Sequence, residues 1–296
     1  MTPQKLAYED DIRDPRLYKA VFLAEQTRED GAARALGVAT IGHDALAHRR
    51  NKFVMDIRVR PEWQGQNIGA CLYQTLVEHL TSFAPCEIQA NVWAAHEQAM
   101  RFVRDRGFTE AWRRIDSTLD VARFDFAPYN ALEASLPAQG VVIKTYEELA
   151  SDPERMIKLH ALDRTLWEDI PYGETVTRRS LEQFTQEEIL APHFLADACF
   201  IALHGDNYIG YSNLTKGVDH YLITMTGVLQ NYRKKGIATV LKIGDIRYAQ
   251  KHGTRELRTT NDSVNAAIRT LNTKLGFREE GATVRFVKRL AVTSQK

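Results

Sequence analysis

Arg233-Lys234-Lys235-Gly236-Ile237-Ala238-Thr239 decides how this chain is read. A short basic run and a glycine stand directly before a long segment with an apolar stripe. Gln64-Gly65-Gln66-Asn67-Ile68-Gly69-Ala70 repeats the arrangement earlier in the chain. Each stretch is followed 43 residues later by a Gly-Phe pair, Gly107-Phe108 and Gly276-Phe277, and both features recur at one offset of 169 residues. Unrelated loops rarely keep register over that distance without a gap. The pattern is that of a duplicated domain, too long in period for a solenoid.

Working outward from Gly236, the patterning predicts a helix over 236–251, with Ile237, Val240, Leu241, Ile243, Ile246 and Tyr248 on its stripe. Strands are expected over 199–203, 208–214 and 221–229 before it, and over 256–260 and 284–290 after it. Helices are expected over 264–275, 153–167 and 178–189, the second opened by Asp152-Pro153. Val141–Ile143 is a short entry strand. The first copy repeats the later part of this order: strands over 18–24, 36–41, 53–59, 87–93 and 117–124, helices over 69–83 and 97–106. Its entry-side helices are missing. Residues 1–125 are therefore expected to be a degenerate N-terminal copy, 126–140 a proline-bearing linker, and 141–296 the full C-terminal copy and catalytic domain.

Composition narrows the partners. A formal net charge of +1 over 296 residues gives no basic field for nucleic acid. Apolar runs such as Ala198–Leu203 are too short to span a bilayer. Lys5 is followed by Glu9, Asp10 and Asp11, with no apolar core like that of a secretory signal. Cys71, Cys86 and Cys199 are odd in number and share no metal-type spacing, as expected of thiols in a reducing compartment. The expectation is a cytoplasmic protein, monomer or homodimer, with no metal, nucleic-acid or membrane partner.

The loop before the long helix suggests anion binding. The first turn of a helix carries unpaired N–H groups and the positive end of the dipole. Gly236 lets a backbone approach an anion without a Cβ, and Arg233, Lys234 and Lys235 add charge. The spacing is neither a Walker loop nor a dinucleotide fingerprint. Gly227, inside the preceding strand, marks a bulge or a close approach by ligand or backbone. Asn261, Asn265 and Asn272 share one helix face and its lead-in, and read equally as caps or as ligand contacts.

These residues together resemble the GNAT superfamily of acetyl-CoA-dependent N-acetyltransferases: Thr226-Gly227-Val228, Arg233-x-x-Gly236-x-Ala238, and Asn265 through Leu275-Gly276-Phe277. The tandem layout is similar to mycothiol synthase and related two-domain acetyltransferases, in which the second copy carries the reaction. The resemblance implies a mixed α/β fold in each copy, a mainly antiparallel sheet flanked by helices. It implies acetyl-CoA as co-substrate, held by Thr226, Gly227, Val228, Arg233, Lys234, Lys235, Gly236, Ile237, Ala238, Thr239, Asn265 and Asn272, and a small-molecule amine as acceptor. Two departures stand out. Asn67 replaces the family's glycine in the first copy, though Asn tolerates positive φ. The position of the family's tyrosine acid holds Asn272, and Val103 in the first copy. The acceptor wall falls on Glu168-Asp169-Ile170-Pro171-Tyr172-Gly173-Glu174, where Asp169 and Glu174 are the candidate catalytic carboxylates. The rival expectation is a non-catalytic acyl-CoA-binding or regulatory module.

Overall fold

The computed structural model describes residues 7–8, 10–27, 31–171 and 173–290. The chain forms two compact units, and neither is continuous in sequence. The N-terminal unit takes Asp14–Arg113, Gly173–Thr177 and Ala282–Lys296; the C-terminal unit takes Met1–Arg13, Arg114–Tyr172 and Arg178–Gly281.

In the N-terminal unit, strands β1 (Lys19–Thr27), β2 (Ala33–Gly42) and β3 (Lys52–Val59) form an antiparallel meander. Helix α1 (Ile68–Leu80) carries the chain to β4 (Glu87–Trp93), which pairs parallel with β3. Helix α2 (Glu97–Arg104) follows. The sheet is extended by the last strand of the chain: residues Thr283 to Arg289 pair antiparallel with β4 from Trp93 to Glu87. Alternation explains the fit. Val284 and Phe286 point into a core with Ile88, Ala90, Leu76 and Phe53, where Val284 and Phe286 are almost fully buried.

The C-terminal unit receives one of its strands from the other half of the sequence. Strand β5 (Thr109–Asp120) pairs antiparallel with β10 (Glu256–Asp262) over Arg114–Asp120. The remaining strands are β6 (Val141–Thr145), β7 (Phe194–His204), β8 (Asn207–Lys216) and β9 (His220–Val228). They pair antiparallel in the order β6-β7-β8-β9, and β9 pairs parallel with β10. Helices α3 (Asn130–Ser135), α4 (Arg155–Glu168), α5 (Leu181–Phe184), α6 (Ile237–Lys251) and α7 (Ala266–Lys274) complete the unit; β11 (Arg278–Arg289), next in sequence, belongs to the N-terminal unit from Ala282 onward. The mixed α/β architecture is as expected; the exchange of closing strands between the two halves is not visible in periodicity, which fixes the buried face of a strand and not its neighbour.

Several boundaries move for local reasons. The strand expected over 117–124 begins at Thr109. The helix expected from Pro153 starts at Arg155, because the Asp152 carboxylate accepts from Glu154 N–H at 2.8 Å and turns the chain first. The helix expected over 178–189 is a capping-box turn at Ser180 and Gln183 that relaxes into a π-helical turn over Thr185–Ile189. The segment 126–140 is itself ordered: α3 lies between two 3₁₀ turns, and Leu136 is buried.

Candidate functional site

The two loops have the same backbone. In the second copy Lys234 and Gly236 adopt left-handed φ of 62° and 82°; at the matching places in the first copy Gly65 and Asn67 adopt 77° and 65°. The glycine has changed place within the loop, and asparagine bears the second left-handed turn, as its short polar side chain allows. Each loop is preceded by a 3₁₀ turn, Pro61–Trp63 and Gln230–Tyr232. Each is braced by its first residue: Gln64 Nε2 donates to Val59 C=O at 3.0 Å, and Arg233 Nε to Val228 C=O at 2.9 Å. The first intrahelical bonds run from Cys71 N–H to Asn67 C=O and from Val240 N–H to Gly236 C=O. Ahead of them, the N–H groups of Ile237, Ala238 and Thr239 have no intrahelical acceptor. Lys234 and Lys235 are exposed, with the Lys235 ammonium 5.3 Å from the Tyr232 ring.

Other expected site residues carry structural duties. Arg233 Nη2 donates to Asp169 Oδ2 at 2.5 Å, and Gln230 Nε2 donates to Asp169 Oδ1 at 2.9 Å. Asp169 is thus joined to the loop itself. Glu174 belongs to the N-terminal unit, where it meets Lys52 Nζ at 3.2 Å and accepts from Gln89 Nε2 at 2.5 Å. Gln89 in turn accepts from Arg285, whose guanidinium also bonds Asp44 at 3.0 Å and Asn91 at 2.7 Å. The two candidate carboxylates are therefore bound to different partners in different units. Tyr172, between them, lies outside the described residues.

Gly227 is a packing glycine. A Cβ there would stand 2.7 Å from Leu166 Cδ1 of α4. Gly236 is one also: a Cβ there would overlap Leu132 of α3. Asn265 is the N-cap of α7, accepting from Ile268 N–H at 3.4 Å, and Asn272 Nδ2 donates to Asn261 Oδ1 at 2.7 Å. Asn272 is 3% exposed and its Oδ1 has no hydrogen-bond partner. Thr226 Oγ1 shares a 2.8 Å hydrogen bond with Ser212 Oγ.

The feature that sequence reasoning placed elsewhere is the bulge. The β8–β9 register jumps from Leu214↔Ile223 to Asn213↔Met225, so Thr224 is the extra residue. Its hydroxyl donates to Asn213 Oδ1 at 2.8 Å. The β9–β10 ladder runs from His220 to Ile223 and stops there. Beyond that point β9 diverges from its parallel neighbour, leaving backbone from Thr224 to Val228 beside the start of α6. In the first copy β3 separates from β4 after Met55, but the β2–β3 register from Val54 to Val59 is unbroken.

Two buried charge groups flank this framework. Lys242 and Asp245 of α6 are both 0% exposed; Ser212 Oγ donates to Asp245 Oδ2 at 2.6 Å, and the Lys242 ammonium sits 5.3 Å from the Phe277 ring. Burial pushes the Asp245 carboxyl up and the Lys242 ammonium down from their ordinary ranges. Arg179 pairs with Asp163 at 2.9 Å and Glu188 at 2.7 Å, and Tyr211 donates to Asp163 at 2.5 Å, tying the segment around α5 to α4. Burial raises the Glu188 carboxyl against the opposing pull of Arg179. Among the described residues there is no cluster of three or more His, Cys, Asp or Glu fit to hold a metal, and no helix long and apolar enough to cross a membrane.

The first copy has a cavity of about 730 Å³. Its walls are the end of β3 at Ile57 and Val59, the loop through Asn67 and Gly69, and the α2 side at Ala99 and Phe102.

The chain belongs to the GNAT acetyltransferase family, whose model matches residues 2–108 and 159–277, once in each copy. In fold it is similar to a tandem GNAT protein from the clavulanic acid biosynthesis pathway, with 19% identity over 96% of this chain and 87% of that one, and a TM-score of 0.72. It is also similar to a GCN5-related N-acetyltransferase from Sphaerobacter thermophilus, with 18% identity over 88% and 78% of the two chains and a TM-score of 0.63. No curated protein matches the sequence significantly. The likeness to mycothiol synthase remains one of tandem layout.

Proposed function

We propose that the protein transfers an acetyl group from acetyl-CoA to the primary amine of a small molecule, by direct attack in a ternary complex on the second copy. The observation that carries this reading is the bulge at Thr224, where β9 leaves β10 and runs into the left-handed loop of Lys234 and Gly236. A bulge frees backbone groups from the ladder and re-aims them, and bulges recur beside active sites.

The residues fit the co-substrate. The first-turn N–H groups of α6, with Lys234 and Lys235, would hold the pyrophosphate; the freed edge of β9 would pair with the pantetheine arm. Acetyl-CoA supplies an activated thioester carbonyl. The neutral amine attacks that carbon, a backbone N–H near Val228 meets the developing oxyanion, the C–S bond breaks, and the coenzyme A thiolate departs. The amine proton passes to water, because Asp169 is engaged by Arg233 and Gln230, and Glu174 by Lys52 and Gln89. Asn272, held by Asn261, offers no acid for the thiolate, which is a good enough leaving group to go without one.

The second reading, a non-catalytic acyl-CoA-binding module, is favoured by that engagement of both carboxylates. A screen of amines, amino acids, aminoglycosides and peptides for coenzyme A release separates the two. Release with any acceptor, lost in Ala238→Asp, supports transfer. Acetyl-CoA binding without release across the whole screen rejects it.

A further inference from the structure

We infer that the outer edge of β1 pairs antiparallel with β1 of another molecule of this chain, about a two-fold axis through Phe22. Acyl transfer does not require this contact, so it stands or falls apart from the proposed function.

The duplicated fold shows that this edge is one that takes a strand. In the C-terminal copy β7, β8, β9 and β10 are joined by two antiparallel ladders and then a parallel one. There β6 covers the outer edge of β7, antiparallel from Val141↔His204 to Thr145↔Phe200. In the N-terminal copy β1, β2, β3 and β4 repeat the same order of ladders. Among the described residues nothing takes the place of β6, and β1 has β2 as its one neighbouring strand. β1 is 9 residues long and contains no proline. An uncovered strand edge of that kind is a template for pairing with another chain.

One face of β1 is uncovered as well. Ala20, Phe22 and Ala24 pack on the N-terminal core, while Val21 and Leu23, which alternate with them, are 55% and 56% exposed. On β7 the corresponding face lies under α4, where Cys199 and Ile201 share a cluster with Leu159 and Leu162.

Backbone direction and side-chain character choose the register. Tyr18 C=O accepts from His43 N–H at 2.9 Å, on the β2 side. By alternation Ala20, Phe22 and Ala24 also turn their backbone groups toward β2, and Lys19, Val21, Leu23 and Glu25 turn theirs outward. The extra residue where the β1–β2 register shifts is Leu36 of β2, so the alternation of β1 is unbroken. Outward sets can meet about an axis through Val21, Phe22 or Leu23. An axis through Val21 sets Lys19 against Leu23 of the other molecule, and one through Leu23 sets Val21 against Glu25. An axis through Phe22 sets Val21 against Leu23 and the exposed Lys19 against the exposed Glu25. Of the three, this register alone matches apolar with apolar and cation with anion. The contact is isologous, so it closes at two molecules. A single ladder is a small interface, and its dissociation constant is expected at about micromolar concentration.

Sedimentation equilibrium of the full chain from about 1 μM to about 1 mM tests this. Wild type should rise from the 33.7 kDa of one chain to twice that mass. Val21→Glu with Leu23→Glu sets carboxylate against carboxylate across the axis and should weaken the dimer by about tenfold or more. Val21→Glu with Leu23→Lys sets opposite charges in the same places and should recover most of that loss. Both positions are exposed, so the variants should match wild type by circular dichroism. Val21→Lys with Leu23→Lys is the parallel like-charge variant should the first fail to fold. Wild type that keeps the mass of one chain throughout, or grows past two, overturns the inference. A like-charge variant as dimeric as wild type, or an opposite-charge variant no more dimeric than the like-charge one, overturns it too.

Discussion

Arg233 and Asp169 form a single joint: guanidinium Nη2 lies 2.5 Å from carboxylate Oδ2 while Nε holds the Val228 carbonyl at 2.9 Å. The residue expected to bind phosphate and a residue expected to take a proton are thereby committed to each other. Gln64 makes the same backbone brace in the first copy without a charge. Arg233→Gln should therefore keep acetyl-CoA affinity within about threefold, while Arg233→Ala should lose about tenfold as the brace goes. The pair is part-exposed, at 45% and 24%, so Asp169→Asn should cost about 1 kcal/mol of stability or less. Equilibrium binding and urea melts of the three variants check this.

Gly227 is a glycine for the sake of Leu166. Gly227→Ala places a methyl 2.7 Å from Leu166 Cδ1 and should destabilise the chain by about 1–3 kcal/mol. Leu166→Ala in the same chain should cost less than the sum of the two single substitutions. Additive thermal melts would refute the contact.

Lys242 and Asp245 are buried three residues apart on α6, and Ser212 Oγ donates to the carboxylate. Lys242→Met or Asp245→Ala alone should each destabilise by about 1–3 kcal/mol, since each leaves the other buried polar group without its opposite neighbour. Replacing both together with apolar residues should cost far less. The coupling energy from a double-mutant cycle is the measure.

Asp152 accepts from Lys158 and from Glu154 N–H, both at 2.8 Å, and these partners hold its carboxyl below the ordinary value of 3.8. A depressed folded-state pKa contributes stability above the unfolded value, and that contribution fades as pH falls through the folded one. Wild type should exceed Asp152→Asn in stability at neutral pH, and the two should converge on acidification below 3.8. Denaturant melts across that range give the sign.

Much of this was legible from residue order. The duplicated loop at a constant offset gave the copies, and the apolar stripe of α6 gave its helix to within a residue. Asn67 was legible as a left-handed residue because few side chains tolerate that backbone. What stayed hidden depends on tertiary neighbours. The missing Cβ of Gly236 reads equally as room for a phosphate or for Leu132, and only the folded chain puts Leu132 there. Glu174 sits in a segment whose neighbours in sequence belong to one unit, yet its carboxylate meets Lys52 and Gln89 of the other. The bulge at Thr224 leaves the alternation of β9 almost intact, so its position had no signature beyond a nearby glycine.

The crossed ownership of β5 and β11 has a consequence for inheritance. A chain severed between residues 126 and 140 would leave the stretch carrying β4 without its β11 neighbour, and the stretch carrying β10 without β5. Each half brings a strand that completes the other's sheet, so loss of either half would bare a ladder edge in the one that remains. The two copies can thus differ in chemistry while each still depends on the other for a strand of its sheet.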